Sequence, residues 1–330
     1  MPLHLFGGVM LKRRKICSLL VLAVVAMSMV FAEGMSEKKF PSRDITVLVP
    51  VKAGGDTDQY ARVFAQYLQE EMGVGVAVKN VDGASGSVGI REAYNAKPDG
   101  YTVLFFHGTA LLNEIVGLTD IDTMSFTIAS VPVIDKTATL VAPAKKFKDI
   151  NDFVVRAKNH EKIIASIAQG SYAQLACVLY DDALKAGFTY VDSTSAADRI
   201  ADMLGGRIDL FFSQYGSMKQ YVDNGSFITL GLLADERNPF FSEVPTMKEQ
   251  GIDISMDKFF FFAFPPKTDQ TVVDAFNAAL AKICADPKMK ADFARWFVEP
   301  AFMDQQSSVA YMESAKKLYE QYRPQLTGEK

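Results

Sequence analysis

The chain has 330 residues, of which 49% are hydrophobic and 22% charged, with a formal net charge of −4. That length permits two domains and a substantial core, and the composition excludes collagenous and disordered classes. Residues 1–32 carry four bases and no acid, so their removal takes the net charge from −4 to −8; such an acidic chain, with no long basic run, argues against a nucleic-acid partner.

The N-terminus reads KRRK (Lys12 to Lys15), then the apolar run ICSLLVLAVVAMSMVFA, ending in Val30-Phe31-Ala32. A basic head, an apolar run and a small-x-small end predict a cleaved secretory signal over residues 1–32. An uncleaved membrane anchor is the alternative. No later window approaches the roughly 20 apolar residues of a span, so the mature chain is expected to be exported and soluble. Cys177 and Cys284 then remain, each inside an apolar helical pattern. Export would permit a disulfide, but the setting favours two buried core thiols. No CxxC and no Cys/His cluster points to zinc, and neither metal nor cofactor is expected.

DITVLVPV (Asp44 to Val51) is β-branched and bounded by turn residues, which predicts a buried strand. Gly54-Gly55 and two acids, Asp56 and Asp58, follow. Tyr60, Val63, Phe64, Tyr67 and Leu68 then form one apolar helix face, which Gly73 ends. VGVAVKNV is a second strand, DGASGSVG (Asp82 to Gly89) a second glycine loop, IREAYNA a helix and YTVLFFH (Tyr101 to His107) a third strand. The same unit recurs later. EKIIASIA is a strand, QGS (Gln169 to Ser171) a third glycine turn, and YAQLACVLYDDALKAG a helix closed by Gly187. FTYVDS, RIDLFFSQ and FITLGLLA read as strands and AADRIADMLGG as a helix. FFFFAFPP is an apolar extended run, and helices follow to the C-terminus. Strand, glycine loop and helix in repetition mean crossover units and mainly parallel sheets. Two such halves predict two lobes with a cleft between them. The run Thr137 to Pro143 is one candidate crossing and FFFFAF the return, with the last helices packing back on the first lobe.

Glycine at a helix N-terminus lets a ligand approach unpaired backbone N–H groups and a partial positive charge. In open parallel sheets these turns lie where ligands bind. A tight connection with no ligand is the bland alternative for each. GASGSVG is spaced G-x-x-G-x-x-G, so the dinucleotide fingerprint is not met, and no phosphate loop occurs. Asp58 falls in the first helical turn, where a carboxylate suits the dipole, and a structural cap that belongs to the scaffold is its expected role. Asp56 lies inside the loop and either caps the helix or faces the ligand; Lys52 is placed to offset its charge or to lie in solvent. His107, ending a strand, is a candidate cleft residue, and His160 in KNHEK a solvated helix end. No nucleophile elbow or metal-type His pair is present, so a binder is expected rather than an enzyme.

The succession FPSRDITVLVPVKAGGDTDQYAR, VAVKNVDGASGSVG, KPDGYTVLF, ASIAQGSYAQLA, MLGGRIDLFFSQYGS, LLADERNPFFSEVPTMKEQG and FFFFAFPPKT resembles the Bug family, the periplasmic solute receptors of tripartite tricarboxylate transporters. The resemblance covers nearly all of the chain after residue 32. It implies an α/β, two-lobed periplasmic binding protein fold, each lobe a mainly parallel sheet flanked by helices. Lobe 1 would span residues 36–138 and 259–330, and lobe 2 residues 139–258. It implies capture of a small carboxylate in the interlobe cleft and delivery to transporter membrane subunits, by a monomer in the periplasm. The matching positions are Gly54, Gly55, Thr57 and Asp58; Gly83, Ala84, Ser85, Gly86 and Ser87; and Ser166, Gly170 and Ser171. Asp56, His107, Thr109, Gln169, Thr194 and Gln214 complete the expected ligand-binding set.

Departures from the family pattern fall near the ligand. Ala53 stands for a proline and Asp56 for a third glycine in the first loop. Ala168 stands for a glycine and Gln174 for a histidine in the other lobe, and VDSTSA replaces Val-Pro-Tyr-Lys-Gly. Asp56 is therefore expected to favour a ligand with a cationic or hydroxyl portion. A same-fold receptor for a signalling partner and an exported enzyme are the competing readings.

Overall fold

The computed structural model describes residues 40–193 and 196–329; the expected signal segment and Thr194 lie outside them. In chain order the elements are β1 (Ile45–Val49), α1 (Asp56–Met72), β2 (Val76–Asn80), α2 (Ser87–Tyr94), β3 (Thr102–His107), α3 (Thr109–Ile115), β4 (Thr127–Asp135) and β5 (Ala138–Pro143). They continue as α4 (Ile150–Lys158), β6 (Ile164–Ile167), α5 (Tyr172–Leu184), β7 (Thr189–Asp192), α6 (Ala196–Leu204), β8 (Leu210–Gln214), α7 (Tyr215–Asp223) and β9 (Phe227–Leu232). Last come β10 (Lys258–Phe264), α8 (Gln270–Ala285), α9 (Pro287–Ala294), α10 (Gln305–Glu320) and α11 (Arg323–Thr327).

The local rules explain most of these elements. In α1, Tyr60, Val63, Phe64 and Leu68 are buried as the spacing requires, and Gly73 ends the helix with φ 70° and its N–H on the Gln69 carbonyl. Asp149, Ser171, Asp269, Asp286 and Asp304 cap α4, α5, α8, α9 and α10, each accepting a backbone N–H, a device that contributes about 1 kcal/mol per helix. α5 stops at Leu184, earlier than Gly187, because Lys185 takes the left-handed conformation.

Each half forms a five-stranded sheet, in the orders β2-β1-β3-β10-β4 and β7-β6-β8-β5-β9. β1 pairs in parallel with β2 and β3, while β10 is antiparallel to both β3 and β4. In the second sheet β6 is parallel to β7 and β8, and β5 is antiparallel to β8 and β9. The sheets are therefore mixed rather than uniformly parallel. One strand in each is reversed, and it is the strand by which the chain arrives from the other lobe. The crossings also differ in place from the sequence reading. Thr137 to Pro143 mostly forms β5 itself, so the first crossing is confined to Lys136 and Thr137, between β4 and β5. The FFFFAF run is the interior strand β10, and the return lies between Leu232 and Lys258.

The phenylalanines of β10 build the core of the first lobe. Phe262 lies 5.3 Å from Phe64, 4.6 Å from Phe105 and 5.3 Å from Phe276 between ring centroids. All four are fully buried, and a buried ring of this size is worth about 1.5–3 kcal/mol. In the second lobe Phe147, Phe153 and Tyr180 play that part. α8 and α9 pack on α1, and α10 on β4 and α3. The last helix departs from expectation: α11 packs on α5 of the second lobe, where Leu326 is buried and its carbonyl accepts Gln174 Nε2 at 2.8 Å. Both cysteines are buried free thiols.

Short segments were illegible in the sequence. β4 contains Pro132 and has register shifts against β10. α3 is buried along almost its whole length and so lacks an amphipathic pattern.

Candidate functional site

The glycine turns of the two lobes open on one cleft of about 880 Å³. Gly55, Asp56 and Thr57 reach it from the start of α1, and Gly83, Ala84, Ser85 and Gly86 from the loop before α2. His107 and Thr109 flank the end of β3. Gln169 and Ser171 precede α5 in the other lobe, and Gln214 ends β8. Twelve of the residues expected from the sequence thus share one wall-lined space.

The second loop carries conformational strain. Gly83, Ala84, Ser85 and Gly86 all have positive φ, at 142°, 45°, 53° and 99°. For alanine and serine that conformation costs roughly 1–2 kcal/mol each, and such strain gathers at functional sites. Its compensation is visible: Gly86 N–H returns to the Gly83 carbonyl at 2.9 Å, and Asn113 Nδ2 donates to the Ser85 carbonyl at 3.0 Å. Ser85 Oγ donates across the cleft to the Gln169 carbonyl at 2.8 Å. A Cβ on Gly86 would sit 2.6 Å from the Phe106 ring and 3.2 Å from the Pro50 carbonyl, so only glycine fits there.

Five of the expected residues lie off the cleft wall. Asp58 is 3% exposed. Its carboxylate accepts Gly54 N–H at 2.9 Å, Asn80 Nδ2 at 2.9 Å and Arg62 Nε at 3.0 Å. Burial alone would raise this acid, but the Arg62 hydrogen bond, with those from Gly54 and Asn80, holds it below the usual carboxylate value. It braces the first loop from behind, and the Gly54 N–H is spent on it. Ser166 is fully buried in β6 and Ser87 faces inward from α2. Gly170 gives its N–H to Gln174 Oε1 at 2.7 Å. Gln174 in turn ties to α11, so this position links the third glycine turn to the chain's last helix. Asp58→Ala is expected to lower stability by about 2 kcal/mol at neutral pH. Because the Asp58 pKa is depressed by folding, this contribution is present above the ordinary carboxylate pKa and is lost as pH falls through the depressed value. Urea unfolding of both proteins at neutral and acid pH checks this; a gap that does not narrow in acid refutes it.

Asp56 is not in the loop, as the sequence suggested, but opens α1, with Gly55 as the N-cap. Its Oδ1 accepts Thr57 N–H at 2.7 Å and Thr57 Oγ1 at 3.2 Å. Its Oδ2 is bound by Lys258 Nζ, from the first residue of β10. The side chains are 27% and 8% exposed respectively. Burial tends to raise the Asp56 carboxyl, but the Lys258 ammonium, assisted by the Thr57 N–H, holds it below its usual value. Lys52 does not serve that purpose; it lies in solvent, 3.8 Å from Asp82. His107 is pushed down to about 3 by burial, then by the nearby Lys258 charge, so it is a neutral imidazole whose Nδ1 accepts Thr109 N–H at 3.4 Å. Thr109 Oγ1 is buried without a hydrogen-bond partner.

Sequence reasoning missed Lys258, Arg199, Asp192 and Tyr172, all of which line the cleft. Lys258 had a signal, a lone base heading a run of four phenylalanines. Arg199 had none, because on an amphipathic helix it reads as a solvated charge. Its Nε and Nη2 donate to the Ser193 carbonyl at 3.2 and 2.8 Å. The cleft therefore gathers helix starts from both lobes, hydroxyls, and charged groups of both signs, an arrangement that can receive a small polar ligand. Among the described residues there is no cluster of acidic, histidine or cysteine side chains suited to a metal.

Comparison with known proteins agrees with this geometry. The family model for the tripartite tricarboxylate transporter family receptor matches residues 60–320. Protein BugT of Bordetella pertussis is 29% identical over 255 residues, covering 74% of this chain and 78% of that protein. A TctC solute-binding protein from Polaromonas, solved without ligand, superposes with a TM-score of 0.70 at 28% identity, over 86% of this chain and 98% of the other. An R. palustris protein solved with adipate shares the fold at a TM-score of 0.76 and 23% identity, over 88% and 98% of the two chains.

Proposed function

We propose that this chain, which belongs to the tripartite tricarboxylate transporter receptor family, captures a small carboxylate-bearing metabolite between its lobes and delivers it to the membrane subunits of such a transporter. The observation that carries the reading is the convergence of three glycine turns, from both lobes, on one cleft of about 880 Å³. That volume suits a small metabolite. The family's members are receptors, which favours binding without turnover. Export by a cleaved signal over residues 1–32, a periplasmic site of action and a monomeric state complete the proposal. No described helix is long and apolar enough to cross a membrane.

Donors from two lobes meet one ligand only when the lobes come together, so binding draws the population toward the closed arrangement. A thermal-shift screen of the protein lacking residues 1–32 tests the reading. The compounds are mono-, di- and tricarboxylates, amino acids and neutral polyols. A ligand at a hundred times its dissociation constant stabilises the native state by about 2.7 kcal/mol, a clear rise in melting temperature. A panel in which polyols shift the protein and no carboxylate does would overturn the proposal.

A further inference from the structure

The Asp56 side chain occupies the donors that a ligand carboxylate would otherwise find at the start of α1. Thr57 N–H and Oγ1 point to one of its oxygens, at 2.7 and 3.2 Å, and the Lys258 ammonium to the other. Asp56, Thr57 and Lys258 all line the cleft. The lysine is the deeper partner, at 8% side-chain exposure against 27% for the aspartate, and lies 5.2 Å from the centre of the Phe260 ring. A ligand approaching this wall therefore meets a carboxylate whose counter-ion is already engaged behind it. A helix N-terminus with an ammonium beside it is a seat for an anion, and here the chain supplies that anion itself.

We propose that Asp56 is a specificity determinant, an internal carboxylate that fills the first-loop anion seat, so that the cleft takes ligands with one carboxylate and rejects those whose second carboxylate needs that seat. This rests on the receptor reading and names the substrate class within it. A second carboxylate would lie against the half-buried Asp56 carboxylate, and like charges at that distance repel. It could not recruit Lys258 without stripping Asp56 of its partner. A neutral hydroxyl or amide is received instead, because it can donate to Asp56. Thr109, 2% exposed, lines the same cleft and its Oγ1 has no partner, so it is a further candidate contact for such a group. The single ligand carboxylate is left the remainder of the cleft, between the second loop and the opposite lobe, which Arg199 also lines.

Titration calorimetry on the wild type, Asp56→Gly and Asp56→Asn decides the matter. The probes are chain-length-matched pairs of unbranched monocarboxylates and α,ω-dicarboxylates, with the 2-hydroxy monocarboxylate of each length. The wild type is expected to bind the best monocarboxylate at least about tenfold more tightly than its matched dicarboxylate. Asp56→Gly frees Thr57 N–H and Lys258, and should close or invert that gap. Asp56→Asn, which keeps the shape and removes the charge, should narrow it. An unchanged ratio in the variants, or a wild type that binds both acids equally, overturns the inference and leaves the receptor reading standing. A wild type that binds neither series overturns the inference, and the receptor reading then stands or falls on the thermal-shift panel. Melting curves establish that each variant is folded; if neither is, the wild-type preference alone decides.

Discussion

Replacing Lys258 by methionine should destabilise the protein by about 3 kcal/mol at neutral pH, since breaking a buried pair by removing one partner leaves an uncompensated charge. Two acids depend on this lysine. Asp56 is hydrogen-bonded to it. Asp135, fully buried, is its register partner on β4. Burial raises the Asp135 carboxyl, and the Lys258 charge opposes that rise. Without the ammonium, both acids must carry charge in a poorly hydrated place or take up protons. The sign of the pH dependence follows. The Asp56 pKa is depressed in the folded wild type, so the pair's contribution is present above the ordinary carboxylate value and fades in acid. In the variant the acids are relieved by protonation. The deficit should therefore shrink between neutral pH and about pH 4. The double variant Asp56→Asn, Lys258→Met should recover part of the loss, because one unpaired charge goes with its partner. Urea unfolding of the three proteins at both pH values checks this. A single variant within about 0.5 kcal/mol of wild type, the scatter of an ordinary surface change, would show that the pair is dispensable.

The second large effect is expected at Gly108. A Cβ there would lie 2.2 Å from the Tyr172 hydroxyl and 2.7 Å from the Phe259 ring. Neither neighbour can yield easily. Tyr172 is 2% exposed and Phe259 fully buried; the Tyr172 hydroxyl also accepts Phe259 N–H at 3.4 Å and lies 3.5 Å from the Tyr319 hydroxyl. Gly108 belongs to the first lobe and Tyr172 opens the first helix after the turn in the second. Overpacking of this kind costs about 1–3 kcal/mol. Much of that strain falls on the approach of the two lobes, so Gly108→Ala should weaken ligand binding by about tenfold or more. Calorimetry with the ligand found in the thermal-shift screen measures it. Unchanged affinity would mean that the lobes do not need this contact to hold a ligand.

Much of this architecture was legible in the residues. The glycine turns were visible because each stops an apolar β-branched run and starts an amphipathic one. Their meeting in one cleft followed from the repeated crossover pattern. What could not be read was partnership over long distance. Asp56 and Lys258 are 202 positions apart, and nothing local in either segment announces the other. Asp58 reads both as a motif position and as a scaffold acid; its three donors, Gly54, Arg62 and Asn80, brace the first loop, and the one on β2 could not be foreseen. The reversed strands escaped for a related reason. Direction in a sheet depends on the route of the crossing, and FFFFAF is equally apolar in either sense.

The place of β10 bears on how the polypeptide is built. It lies between β3 and β4 in the first sheet, yet it is made after every strand of the second. During synthesis from the N-terminus, β5 to β9 are all available to one another before residue 258 exists. The five strands of the second sheet can pair while the first sheet still holds an unfilled slot between two edges. Open edges of that kind invite wrong pairing. The older sheet is thus the later one to close, and its completion waits for the phenylalanines of β10 to arrive.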